Sequence, residues 1–330
     1  MFACRFAITR LPMVSMATKS GLVTKVRLFA QESKSSALRR VKEVTKGPTL
    51  KERLMAPAGD TAFTAGRGLL AGASLLGLGG LCYYGLGLSD QVGAIDRAAL
   101  WPATVKERIR NTYAYFGGSL IFTAASAVLL SRSPTFMNVM FRSSWMTLIG
   151  SMVAMMGTGI LCQSLPYTES IGVKHLAWML HSCVVGAVVA PIALMGGPLL
   201  VRAACYTVGV VGGLSALAMC APSDKFLYMG GPLAMGLGVV FISSIGTWFL
   251  PPSTALGAGL YSIAVYGGLA LFGAFLLYDT QKVVYRAEHH VAYADQPFDP
   301  INNSVGIFMD TINIFIRIAM ILSGSSNRRK

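Results

Sequence analysis

The sequence predicts an all-α protein threaded through a membrane, and three observations carry that prediction. Hydrophobic residues make up 54% of the 330 and charged residues only 13%, with a mean hydropathy of +0.58. A soluble domain carries about 25% charged residues. Eight apolar stretches recur along the chain, each about 20 residues or longer, the length of helix that spans a bilayer core. In lipid, every backbone N–H and C=O must be paired, which selects helices over open strands.

The amino end precedes these stretches and differs from them. Residues 1–29 hold Arg5, Arg10, Lys19, Lys25 and Arg27, several Ser and Thr, and no acid. That composition fits a mitochondrial transit peptide, and its Lys and Arg interrupt any apolar core that a secretory signal would need. Arg27-Leu28-Phe29-Ala30 fits a matrix-processing pattern with the cut after Phe29, so the mature chain is expected to begin at Ala30. Losing these five basic residues would lower the formal net charge from +14 to +9. A basic tail on a protein of another membrane is the alternative. Residues 30–66, with Arg39-Arg40 and Lys42, read as a polar basic arm.

The first apolar stretch, Gly68–Leu88, defines an extra transmembrane helix within residues 67–89. Seven more follow: Asn111–Ser131, Ser144–Gln163, His175–Met195, Leu199–Cys220, Leu227–Leu250, Leu256–Tyr278 and Ile301–Leu322. They form one core over residues 111–323, and residues 324–330 are a basic tail ending Arg328-Arg329-Lys330. Gly68-x-x-x-Gly72 and Gly209-x-x-x-Gly213 suit close helix packing. Gly196-Gly197-Pro198 and Gly230-Gly231-Pro232 place Pro at a first helical position after a glycine turn. Trp101, Tyr167, Trp178 and Trp248 fall near span ends, as interfacial aromatics do. Arg132, Arg142, Arg202 and the tail share a side with the amino arm, which favours an even number of spans with both ends on the basic face; Lys106, Arg108 and Arg110 run against this pattern.

Composition also narrows the function classes. The basic residues gather at the amino end and in short loops rather than on one folded face, which excludes nucleic acid as a partner. The six cysteines (Cys4, Cys82, Cys162, Cys183, Cys205, Cys220) include no Cys-x-x-Cys pair and read as reduced packing residues. The chain lacks a phosphate-cradling Gly-x-x-x-x-Gly-Lys, a His-Glu-x-x-His and a water-facing Ser/His/Asp set, so no enzyme and no bound cofactor is expected. Intramembrane hydrolysis by two aspartates needs glycines that Met309-Asp310 does not have.

The residues that carry chemistry are acids in apolar surroundings. From Phe226 through Tyr278 there is no Asp, Glu, Lys or Arg, and the run closes on Asp279; Asp310 lies near the middle of the last stretch. An ionised carboxylate in hydrocarbon costs about 3 kcal/mol on insertion scales, so it persists where it meets a cavity, a partner or an ion. Two such acids on neighbouring helices titrate as a unit and can share a proton or hold a cation. Ca²⁺ prefers six to eight oxygen ligands, so two carboxylates make a weak, transient site, as conduction requires. Asp310, Asn313 and Arg317 recur at i, i+3 and i+7 and share a helix face. Asp279 also fits an ordinary interfacial cap at the end of its helix, and Asp310 a structural contact with an arginine or hydroxyl. His181 is the one histidine deep in a span, fit for a hydrogen bond to a neighbouring helix or for a proton relay. His289-His290 reads as part of a solvated loop with Glu288, Asp295 and Asp299.

Leu277-Tyr278-Asp279-Thr280-Gln281 together with Met309-Asp310-Thr311-Ile312-Asn313-Ile314-Phe315 resembles the BAX inhibitor family of seven-helix membrane proteins. Its members end their sixth core helix in a Tyr-Asp-Thr-Gln-like motif and carry an Asp-x-x-Asn-x-Phe-like motif in the seventh. The resemblance covers residues 111–322, and the added helix behind a transit peptide is similar to the family's mitochondrial branch. It implies a calcium-permeable, pH-sensitive fold in which Asp279 and Asp310 form a proton-sensitive pair that also binds Ca²⁺ in passing. Bacterial relatives engage that pair with an arginine near the end of the second core helix. Here Leu161-Cys162-Gln163-Ser164 offers Gln163, which can donate a hydrogen bond but no charge.

The expected function is therefore a multi-pass cation transporter or channel of the mitochondrial inner membrane, by Ca²⁺/H⁺ exchange or pH-gated Ca²⁺ flux. The resemblance adds cristae organisation and cytochrome c retention in apoptosis, with inner-membrane proteins or proteases and cytochrome c as partners. The alternative is a structural scaffold that organises membrane partners without transport.

Overall fold

The computed structural model describes residues 49–86, 88–89, 98, 100–142, 145–221, 225–290 and 297–327. The expected transit peptide with its Phe29–Ala30 cut, residues 30–48 of the arm, Cys4, Asp295 and the last three residues of the tail lie outside the described residues. The chain divides into two units, Met1–Ala56 and Pro57–Lys330. The described part of the first is a short helix, α1 (Leu50–Met55), started by a capping box. There Glu52 N donates to Thr49 Oγ1 at 3.3 Å and Thr49 N to Glu52 Oε2 at 2.7 Å, filling two of the donors that a helix start leaves open.

In the second unit every regular element among the described residues is helical. In chain order these are α2 (Thr61–Gly85), α3 (Ala103–Ser131), α4 (Pro134–Phe141), α5 (Trp145–Ser164) and α6 (Val173–Val189), which runs on as a 3₁₀ turn to Met195. Then come α7 (Gly197–Cys220), α8 (Gly230–Phe249), α9 (Ala255–Ser262), α10 (Gly268–His289) and α11 (Pro300–Asn327). A π turn, Ile263–Gly267, joins α9 to α10 without a break. Eight helical stretches among the described residues are long and apolar enough to cross a membrane. They match the eight expected stretches, with α2 as the added one.

The helix ends differ from the hydropathy reading in instructive ways. Helix α3 starts at Ala103, eight residues before Asn111, so Lys106, Arg108 and Arg110 sit in its polar first turns rather than in a loop. Arg108 Nη1 donates to Ala287 O (3.0 Å) and His290 O (3.2 Å), satisfying carbonyls at the end of α10. Helix α10 continues to His289, eleven residues past Tyr278. Asp279 is thus interior to a helix and is not its cap, and His289 belongs to the last helical turn, stacked on Tyr285 at 4.0 Å. Of the two Gly-Gly-Pro signals only the first behaves as a glycine turn, with Gly196 at φ 100° before Pro198. Gly230 is already helical at φ −55°, because a 3₁₀ turn over Leu227–Met229 leads into α8.

Helix α11 lies at the centre, packed on α3, α7 and α10. Asp299 Oδ1 accepts from Asn302 N at 3.0 Å and Pro300 opens the helix, an acid-then-proline start that suits the unpaired donors of a first turn. Its buried side chains Ile307, Ile314, Ile318 and Ala319 form one core with Leu269, Phe272, Leu276 and Val283 of α10. On the other flank α3 meets α6 so closely that a Cβ on Gly186 would overlap Ser126 Oγ and Thr123 O. Thr123 Oγ1 donates to Ser182 O (2.9 Å) and Ser126 Oγ to Cys183 O (3.0 Å), the small-residue and hydroxyl packing that joins helices where water is absent. Trp178 is also interior rather than interfacial: it is buried, and its indole N–H donates to Ser119 Oγ at 2.7 Å. Helix α2 docks on α7 and α9, with Gly80 against Leu217 and Ser262 Oγ donating to Ala62 O at 2.8 Å.

Candidate functional site

Asp279 lies in α10 with its side chain 15% exposed. Facing it on α11 is Gly306, whose missing side chain is what admits the carboxylate: a Cβ there would overlap Asp279 Oδ2. Asp310 lies one turn further along the same face of α11, and the two carboxyls interact electrostatically. Asp310 is 6% exposed, and its Oδ2 has no hydrogen-bond partner among the described residues. A buried polar atom without a partner is costly, and a proton or a cation would supply the missing contact.

Asp279 also lines an open cleft of about 320 Å³ between α10, α11 and the end of α5. Gln163, Lys282, Arg286, Asn302 and Asn303 line it with Asp279 and Gly306. Lys282 Nζ is 3.6 Å from Asp279 Oδ1, and Arg286 Nη1 donates to Asn303 Oδ1 at 3.1 Å. From Arg286 at the mouth through Lys282 to Asp279, polar groups descend about 10 Å along α10. Asp310, one turn along α11 from Gly306, is not itself part of the lining. The cleft thus leads polar groups from solvent to the half-buried Asp279.

A second polar cluster braces the rim. Lys174, buried at the start of α6, donates to Leu165 O (2.7 Å) and to Asp299 Oδ2 (2.5 Å). Asn302 Nδ2 donates to Gln163 O at 3.1 Å. Together these contacts tie the end of α5 and the following loop to the start of α11. In that loop burial, with Tyr115 beside it, pushes the Tyr167 phenol well above its ordinary range, so it stays protonated.

The expected site residues separate into three places. Asp279 and Asp310 come together across α10 and α11. Gln163 reaches the cleft, but the hydrogen bond that ties it to α11 runs through its backbone carbonyl, not its amide. Asn313 and Arg317 pair with each other: Arg317 Nη1 donates to Asn313 Oδ1 at 2.9 Å and to Asn313 O at 3.0 Å. Arg317 Nε donates to Ala264 O in the π turn at 3.2 Å, and its guanidinium lies 4.4 Å over the Phe272 ring. The stripe expected from spacing is real on the helix, yet among the described residues Arg317 forms no ion pair with Asp310. His181 stands apart, its Nδ1 3.1 Å from Thr158 Oγ1 on α5, as a structural hydrogen bond between helices requires.

Lys282, Arg286, Asn302, Asn303 and Gly306 complete the cleft and were not singled out from sequence. Gln281, next to the motif acid, has a bridging role: its Oε1 accepts from Phe226 N at 2.7 Å and its Nε2 donates to Ala218 O at 3.3 Å. Among the described residues no three His, Cys, Asp or Glu side chains converge as ligands of a held metal would.

A family profile described as inhibitor of apoptosis-promoting Bax1 matches residues 105–328. The chain belongs to the BAX inhibitor family. The matched region of this BAX inhibitor protein opens near the start of α3 and leaves α2 outside it. Over 319 residues the chain is 53% identical to a growth hormone-inducible transmembrane protein of Rattus norvegicus, covering 96% of this chain and 91% of the relative. The Bax inhibitor 1 of Homo sapiens is 24% identical over 244 residues, 69% of this chain and 90% of that protein. The Bax inhibitor 1 of Oryza sativa subsp. japonica is 28% identical over 180 residues, 53% of this chain and 68% of that protein. No solved structure matches the chain.

Proposed function

We propose that this BAX inhibitor protein carries cations across the mitochondrial inner membrane, with Ca²⁺ moving either in exchange for H⁺ or in a pH-gated flux. The observation that carries the reading is the unpartnered, buried Oδ2 of Asp310, one turn beneath the glycine that admits Asp279 to an open polar cleft. A carboxylate so buried needs a partner, and here the partners that fit are a proton and a passing cation. The two compete for the same oxygens, because a metal binds the deprotonated acid. Two carboxylates give a weak site, and weakness lets a conducted ion leave. The protein is read as a transporter and not an enzyme, with Ca²⁺ as cargo and no resident cofactor. The basic, acid-free residues 1–29 support the mitochondrial address. Roles in cristae organisation and cytochrome c retention, and contacts with inner-membrane proteins or proteases, belong to this reading by family resemblance.

The test is Ca²⁺ flux into liposomes holding the purified full-length protein, at several pH values. Wild type should move Ca²⁺ with a pH-dependent rate, and Asp310→Asn should abolish that dependence. Protein that folds and moves neither Ca²⁺ nor protons would overturn the transport reading in favour of a scaffold.

A further inference from the structure

Lys282 lies one helical turn from Asp279 on α10, with its Nζ 3.6 Å from Asp279 Oδ1 and 5.2 Å from the centre of the Tyr278 ring. Its side chain is 35% exposed against 15% for Asp279, and both residues line the cleft, with the ammonium the more open to solvent of the two. Arg286, a turn further out, is held by Asn303 Oδ1. The charged groups lining the cleft are Lys282 and Arg286 against Asp279, a net charge of +1. That balance repels the ions that Asp279 would otherwise attract. Asp310, one turn along α11 from Gly306, lies outside the lining and interacts electrostatically with both Asp279 and Lys282.

We propose that Lys282 is a tethered cation that occupies Asp279 in competition with incoming ions, and so sets the cleft's affinity and selectivity for divalent cations. The proposal rests on reading Asp279 as a cation ligand. A lysine ammonium is a compact point charge on a flexible stem; being partly exposed, Lys282 can swing toward solvent when a divalent ion arrives. Arg286, fixed to Asn303, guards the mouth without filling the site. A Ca²⁺ ion must displace one ammonium, and its double charge lets it do so where K⁺ fails. Partly exposed ion pairs are modest, so removing this one should tighten Ca²⁺ binding by about two- to fivefold.

The experiment measures binding separately from flux. Tb³⁺ luminescence, sensitised by Tyr278, is followed in purified full-length protein in detergent while Ca²⁺ displaces the Tb³⁺. Lys282→Gln should lower the half-displacing Ca²⁺ concentration about two- to fivefold and weaken discrimination against K⁺. Lys282→Arg should stay near wild type, and Lys282→Met repeats the test with a long uncharged side chain. In an Asp279→Asn background the Lys282→Gln effect should vanish. Equal binding by wild type and both uncharged variants overturns the proposal, as does tightening that persists without Asp279 or an absence of binding in every variant. If binding tightens as expected while no variant moves Ca²⁺ in liposomes, the role of Lys282 stands and the transport reading falls.

Discussion

The carboxylate of Asp279 is seated against the bare backbone of Gly306, where a single methyl group would overlap its Oδ2. Replacing glycine by alanine inside a helix normally stabilises it by about 1 kcal/mol. Here the contact reverses that sign, because either Asp279 or α11 must shift. Gly306→Ala should lower the melting temperature and the Ca²⁺ flux together. Gly150→Ala, inside α5 with open space around it, should raise the melting temperature slightly and leave the flux unchanged. Thermal unfolding in detergent beside liposome flux measures both.

Ca²⁺ stabilisation should rise with pH. The metal binds ionised carboxylates, so protons displace it as the pH falls, and the stabilisation is present at high pH and lost at low pH. At a tenfold excess over its dissociation constant Ca²⁺ should add about 1.4 kcal/mol to folding stability. Asp310→Asn should leave the metal-free protein at least as stable as wild type while removing this pH-dependent gain. A melting-temperature series over pH, with and without Ca²⁺, tests the sign.

Lys174→Met should destabilise the protein by about 3 kcal/mol, because it strands Asp299 in a partly buried position. The double variant Lys174→Met/Asp299→Asn should recover part of the loss, since the uncompensated charge is then gone. Both are read by chemical unfolding in detergent. Recovery absent from the double variant would mean that the contacts of Lys174 with Leu165 O, and not the ion pair, carry the stability.

The mature protein is expected to begin at Ala30 and to resist carbonate extraction from mitochondrial membranes. Amino-terminal sequencing of the native protein checks this. An intact Met1, or residence in another organelle, would count against the mitochondrial address.

The spans and the acid pair were legible in the sequence because both are composition signals: long apolar runs, and an acid where none should be. The cleft was not, and α10 explains why. Hydropathy falls at Tyr278, where the apolar run closes, but the helix continues because Val283, Val284 and Ala287 are still buried against its neighbours. Lys282 and Arg286 are three and seven residues past Asp279, a spacing that declares a shared face only once the segment is known to be helical. Gly306 is four residues before Asp310, so its face was readable in the same way, while its close approach to α10 was not. Trp178 shows the opposite failure. A tryptophan near a span end suits an interfacial belt, but Ser119 on α3 supplies an interior partner for its N–H. Lys174 and Asp299 are 125 residues apart, and nothing local announces their pairing.

The π turn between α9 and α10 gives the long helix two independent aims. A π turn accommodates one residue beyond the α-helical repeat, and each residue of an α-helix turns the face by about 100°. The surface of α9 that meets α2 through Ser262 and the surface of α10 that turns Asp279 toward Gly306 are therefore set out of phase by this insertion. Arg317, donating to Ala264 O, is bolted to the point where that phase changes. Deleting one residue within Ile263–Gly267 would restore an even winding and swing the two halves into a common phase, forcing the helix to forsake either its added neighbour or its acid.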